Sequence, residues 1–170
     1  MKIADIGNWV ELYDTEKYLF EVVGPRVRAR GYLVFDEFYE ICMWKTARAK
    51  PKYLENRNSI ERIARTAIAE TDERRKMAAL CELKGVSISV ASALLAVIFP
   101  KEYAVIDIRC LAELRKLGYL IGNPSLKTWP IYVETMRQLA RENNVSPREL
   151  DMALFAMNKR AQAFSNLYAP

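Results

Sequence analysis

The sequence predicts an all-α protein, a compact multi-helix bundle in one domain spanning residues 1–170. Apolar residues recur at helical spacing along most of the chain, helix-start signals punctuate it, and no repeat or composition break divides it.

The elements follow in order. A less sharply patterned helix is expected around Thr15 to Val23. The stretch GPRVRARGYLVF after it reads equally well as a loop or a short extended piece. Asp36 opens a helix carrying Phe38, Ile41, Cys42 and Lys45, expected to stop near Lys50-Pro51 because the residue before proline avoids the α region. Asn58 or Ser59 caps the next, with Glu61 in the first turn and a stripe of Ile60, Ile63, Ala64, Ala67 and Ile68. Thr71 is placed as the cap of a third, whose apolar face is Met77, Leu80, Cys81 and Leu83. Ile88 to Phe99 is apolar all round and belongs in the core. Asp107 stands at an N-cap position ahead of IRCLAELRKL, and Gly118 ends that helix. Thr128 and Pro130 start another through Arg141. Ser146-Pro147-Arg148-Glu149 is a capping box with proline at the first helical position.

Composition bounds the chemistry. Hydrophobic residues make up 51% and charged residues 28%, which suits a folded protein rather than a disordered one. The chain has no histidine, which excludes Ser-His-Asp triads, Cys-His dyads and zinc sites that use imidazole. Cys42, Cys81 and Cys110 are few, scattered and set among apolar residues, as reduced thiols are. No metal or organic cofactor is expected. The apolar run from Val90 to Pro100 is too short to cross a bilayer. The N-terminus, with Asp5 and Glu11, does not read as a secretory signal, so a cytoplasmic protein is expected, at the nucleoid in a prokaryote. The net charge of +5 permits a polyanionic partner without demanding one. The short runs Arg74-Arg75-Lys76 and Asn158-Lys159-Arg160 read as solvated helix faces.

One segment carries more. Leu83-Lys84-Gly85-Val86-Ser87 is a turn of the form hydrophobic-x-Gly-hydrophobic-x between two helices, and backbone N–H groups at the start of the second helix can hold a phosphate. With Val90-Ala91-Ser92, the apolar helix and Tyr103-Ala104-Val105-Ile106-Asp107, the segment resembles the core of the helix-hairpin-helix DNA glycosylase superfamily, the group of endonuclease III. The resemblance is sharp over about Leu83 to Leu114 and places a helix-hairpin-helix core at about 72–118.

It implies a DNA glycosylase-like fold and a protein that binds double-stranded DNA, flips a modified or mispaired nucleotide and hydrolyses its N-glycosidic bond. Asp107 occupies the catalytic carboxylate position. Lys84, Gly85, Val86, Ser87, Ser89 and Arg109 are the DNA-binding candidates, and Trp44 with Lys45 the candidates for the base pocket. Three positions depart from the family. Ser89 stands where bifunctional members carry a Schiff-base lysine, which points to a monofunctional enzyme without lyase activity. Lys84 and Ser87 replace the family's proline and second glycine, and a positive φ at Ser87 would alter the hairpin. The four-cysteine cluster of some members is missing. A non-catalytic DNA-binding module of a repair or defence assembly is the alternative, and a helical interaction protein with a purely structural glycine turn is a third.

Overall fold

The run Val90–Ile98 is buried along its whole length, and the rest of the chain is arranged around it. The computed structural model describes residues 1–13 and 16–167, with side chains as far as Ala163. Every regular element among the described residues is helical. They are α1 (Ile6–Glu11), a π-helical stretch (Leu19–Val23) running directly into α2 (Gly24–Arg30), α3 (Phe35–Lys45), α4 (Lys50–Leu54), α5 (Ile60–Ala69), α6 (Glu73–Cys81), α7 (Ile88–Ile98), α8 (Ile108–Lys116), α9 (Trp129–Asn143) and α10 (Pro147–Leu167). The π stretch, α2, α3 and α6 pack on α7, while α10 packs on α1, α8 and α9. Contacts of α6 with both α5 and α9 join the two groups. Among the described residues no helix is long and apolar enough to cross a membrane.

Several boundaries differ from the sequence reading, each for a local reason. Gly24 to Arg30 is a helix, not a loop or an extended piece. Pro25 lies in its first turn and Gly31 closes it at φ 80°, the asymmetry expected of a helix flanked by these two residues. Gly24 is needed there because a Cβ would come within 2.2 Å of the Val97 carbonyl oxygen on α7. The helix holding Phe38 and Ile41 stops at Lys45, where Thr46 is extended, and Lys50-Pro51 begins α4 instead of ending α3. A proline in a first turn removes an N–H that had no partner anyway. Asp72, not Thr71, caps α6, its carboxylate accepting from the Arg75 N–H at 2.8 Å. Of the helix expected at Thr15 to Val23, Leu19–Val23 is helical in the π form, and Thr15 lies outside the described residues.

Two helix-start signals hold as read, while Ser59 stands at the N-cap of α5 with no side-chain cap bond. Asp107 caps α8, and the Ser146–Glu149 box closes in both directions, Ser146 N–H to Glu149 Oε2 at 2.7 Å and Glu149 N–H to Ser146 Oγ at 3.2 Å. The three cysteines are unpaired, with Cys42 and Cys110 buried. The basic run at Arg74 is not wholly a wet face, since Lys76 is buried with its ammonium donating to the Tyr103 hydroxyl at 2.9 Å. Asn158 is likewise buried and donates to Glu113 Oε1 at 2.7 Å.

Candidate functional site

Asp107 is delivered by a buried, non-helical segment, Tyr103 to Ile106, that leaves α7 and is gripped from both sides. Val105 donates its N–H to Asp151 Oδ2 on α10 at 2.6 Å and accepts from the Tyr132 hydroxyl on α9 at 2.8 Å. Ile106 donates to Ser92 Oγ on α7 at 3.0 Å. Tyr103, Trp129 and Tyr132 stack in succession behind it, ring centroids 6.1 Å apart at each step. Buried backbone groups outside regular structure need such partners, and here they come from three helices. At the end of the segment Asp107 Oδ1 accepts from the N–H groups of Arg109 and Cys110 at 3.0 and 2.9 Å. Its Oδ2 lies 3.5 Å from Lys45 Nζ at the end of α3.

Asp107 borders a cavity of about 170 Å³ whose walls include Trp44, Tyr13 and Phe155. Cavities of roughly 150 Å³ accept one six-membered ring. Tyr13 and Phe155 meet edge to face at 5.4 Å, and Trp44 is braced the same way by Phe20 at 5.6 Å. The floor holds an ion pair between Arg148 and Asp151, both almost fully buried. Arg148 Nη1 contacts Asp151, while Nε and Nη2 have no hydrogen-bond partner among the described residues, and the rings of Phe20, Tyr13 and Trp44 lie 4.8 to 5.5 Å from the guanidinium carbon. Aromatic faces compensate a buried cation in part. Burial pushes the Asp151 carboxyl up to about 6, against the pull of Arg148 and the Val105 N–H and with a further push from Asp107. Burial likewise raises the Tyr13 phenol.

Lys45 also lines a wider groove of about 620 Å³ that runs past the Gly85 turn. Arg48 and Arg109 also line it, no carboxylate does so among the described residues, and Gly85, Ser87 and Ser89 form one side. The turn is held by Asn56, which accepts from the Lys84 N–H at 2.8 Å and donates to the Lys84 carbonyl at 3.0 Å. Gly85 has φ 81°, and a Cβ there would stand 3.0 Å from both Ala49 Cβ and Lys52 Cβ on the α4 side. Glycine is thus required by the backbone and by packing together. Ser87 has φ −88° and caps α7 through its Oγ, so it occupies an ordinary extended conformation and does not distort the turn. Ile88 and Ser89, at the start of α7, have N–H groups with no carbonyl of their own helix to reach.

No family model, curated protein or solved structure matches this chain.

The structure brings Asp107, Lys45 and Trp44 to one cavity, and Lys45, Gly85, Ser87, Ser89 and Arg109 to the adjoining groove. Two of the expected contacts are turned elsewhere. Val86 points into the core and its N–H is bonded to the Leu83 carbonyl, so it presents nothing to a ligand. Lys84 is exposed but paired with Glu55 at 2.6 Å, so a phosphate there has to displace a carboxylate. Arg109 is braced by Gln162 at 2.9 Å and by the Phe155 ring, which fixes its position at the groove's edge.

Sequence reasoning missed Tyr13, Arg148, Asp151 and Phe155. They come from near the two chain ends, and only the capping box at Ser146 hinted that the first turn of α10 is anchored. Asn56 was missed too, because a single asparagine between two helices carries no sign of which turn it will hold.

Proposed function

We propose that this chain is a DNA-binding protein in which α6, the Gly85 turn and α7 form a helix-hairpin-helix, and that it hydrolyses the N-glycosidic bond of a modified or mispaired base. One observation carries the reading: a carboxylate with one oxygen unused by its helix cap faces a ring-sized cavity, at the edge of a groove lined by Lys45, Arg48 and Arg109.

The groove takes the phosphates of one strand, through those cations and the N–H groups at the start of α7. A nucleotide must leave the stack before its sugar can reach Asp107, and the aromatic walls at Trp44, Tyr13 and Phe155 give its base a place to go. As the base departs, positive charge grows on the sugar. Asp107 Oδ2, fixed by the cap bonds to Oδ1, stabilises that charge in a site partly closed to water. Water then adds to the sugar carbon and leaves an abasic site. Lys45 holds the carboxylate in place, and Ser89, where a Schiff-base lysine would stand, has no amine to offer. The strand is thus left intact, and no metal or cofactor enters the reaction.

A second reading has its own observation. Both Asp107 oxygens have partners already, Oδ1 in the cap and Oδ2 near Lys45, so the residue is explained by a cap and an ion pair, and the groove then serves a non-catalytic DNA-binding module.

Duplexes carrying uracil, 8-oxoguanine, alkylated bases, mismatches or hypermodified cytosines, incubated with the protein and then treated with alkali, separate the two. Alkali-dependent breaks that vanish with Asp107→Asn support the glycosylase. Salt-sensitive binding with no breaks on any duplex selects the module, and breaks before alkali make Lys45 a nucleophile.

A further inference from the structure

Asp151 is the acid at this site that no sequence signal marks. Its carboxylate is 2% exposed and grips two groups at once, the Val105 N–H through Oδ2 and Arg148 Nη1 through Oδ1. Its own carbonyl accepts from the Cys110 thiol at 3.5 Å, tying the same turn of α10 to α8. Asp107 is therefore approached from both directions. Val105 is two residues before it, Cys110 three after, and both are fastened to Asp151. The other two bonds to the backbone of Val105 and Ile106 come from neutral hydroxyls, Tyr132 to the Val105 carbonyl and Ser92 from the Ile106 N–H, while Lys76 and Glu73 hold the far end of the segment through the Tyr103 hydroxyl. Asp151 alone among the backbone partners carries charge.

Stability does not explain it. A buried ion pair often does no better than apolar residues of the same volume. Here burial holds the acid above its ordinary range even with Arg148 alongside, so the ionised form is a cost to the folded chain. A costly charge, fully desolvated, on the floor of the cavity that Asp107 also lines and bonded to the segment before Asp107, suits positioning.

We propose that Asp151 is the positioning residue of this site: its buried carboxylate, by gripping the Val105 N–H, holds the segment that delivers Asp107 to the cavity. The inference rests on the reading of Asp107 as the working carboxylate. Ionised, Asp151 makes charge-assisted bonds to Val105 and Arg148. Protonated, it is a weaker acceptor, and the segment loosens. The charged and titratable groups around it are Arg148 on its own helix, Asp107 and Cys110 at α8, Lys45 from α3, Tyr132 from α9 and Tyr13 after α1. Lys45 and Arg148 favour the ionised acid and Asp107 opposes it.

The test is an amide NMR titration of the free protein from pH 5 to 8. The Val105 N–H should move with a midpoint near 6, and the Arg109 and Cys110 amides, which report on Asp107 through its cap, should follow at the same midpoint. Asp151→Asn should abolish the shared transition. If Val105 titrates while Arg109 and Cys110 stay still, or if nothing titrates in this window, the proposal falls. The wild-type titration decides the matter even if the variant does not fold. With a cleavable duplex in hand, base release by the wild type should fall below pH 6 through kcat at constant KM, and the inflection should be absent in the variant. A chain that passes the titration but releases no base keeps the Asp151 grip and loses the glycosylase reading instead.

Discussion

Lys45 Nζ lies 3.5 Å from Asp107 Oδ2, an ion pair between the last residue of α3 and the cap of α8, with each side chain only 18% exposed. It links the cavity to the groove, because Lys45 lines both. Lys45→Met keeps most of the stem's packing and removes the charge. Base release should drop by about 10 to 100-fold, as a displaced carboxylate loses electrostatic stabilisation of roughly 1.4 to 2.8 kcal/mol. Duplex affinity should weaken less, since Arg48 and Arg109 remain. A variant with unchanged kcat would show that Asp107 needs no partner on that side.

Asp107 has a structural and a proposed chemical role, and two substitutions separate them. Asparagine is as good an N-cap as aspartate but leaves Lys45 without its counter-charge, so Asp107→Asn should cost less stability than Asp107→Ala while base release falls by at least 100-fold. Asp107→Ala should lose the activity and also about 1 kcal/mol of stability, read by urea unfolding. Equal activity in wild type and Asn variant would leave Asp107 with the cap alone.

The helical class was legible because the signals are local. Ser146 to Glu149, Asp107 and the apolar run before Phe99 each announce a helix within a few residues. The failures were also local: Lys50-Pro51 carries one signal that serves for a helix end or a helix start, and the sequence around Gly24 hides a contact with Val97 that only the packed chain makes. The site was legible on one side only. Asp107 and Gly85 lie in one continuous segment, whereas Tyr13, Arg148, Asp151 and Phe155 reach the cavity from distant positions through the packing of α10 on α8 and α1. Long-range placement of that kind leaves no periodicity to read.

Gly85 and Ser87 give unequal predictions although both stand where the hairpin pattern that the sequence resembles has glycine. Gly85→Ala meets a positive φ and three neighbours at 3.0 to 3.1 Å, and should cost well over 1 kcal/mol, with loss of duplex binding as α4 is pushed from the turn. Ser87→Gly should not improve anything: φ is −88°, and the change removes the Oγ bond to Val90 for a loss of a few tenths of a kcal/mol. Chemical denaturation of both variants checks the contrast. A stabilised Ser87→Gly chain would mean that the turn is strained at that residue.

If the groove holds phosphates, binding must weaken with salt, because each neutralised phosphate releases condensed counterions. The logarithm of affinity against the logarithm of salt should be linear. Arg48→Ala should flatten its slope by about 0.9 if Arg48 contacts one phosphate. Glu55→Gln should act in the other direction, strengthening binding, since it frees Lys84 from its 2.6 Å ion pair. Anisotropy titrations at several salt concentrations measure both. A slope that Arg48→Ala leaves alone would move the duplex off this groove.

The raised Asp151 acid also sets a direction for stability against pH. Its folded value of about 6 lies above the 3.8 of an unperturbed aspartate, so between those limits the folded chain binds more protons than the unfolded one. Stability from this group is therefore present below pH 4 and is lost as pH rises through 6, the reverse of an ordinary paired carboxylate. The loss is at most about 1.4 kcal/mol per pH unit and on the order of 3 kcal/mol in total. Other carboxylates slope the opposite way, so the measurement is a difference: urea unfolding of wild type and Asp151→Asn at intervals from pH 4 to 7. The wild type should lose stability relative to the variant across that window and run parallel to it above pH 7. Parallel curves throughout would show that Asp151 has an ordinary acidity and that its burial beside Arg148 is fully compensated.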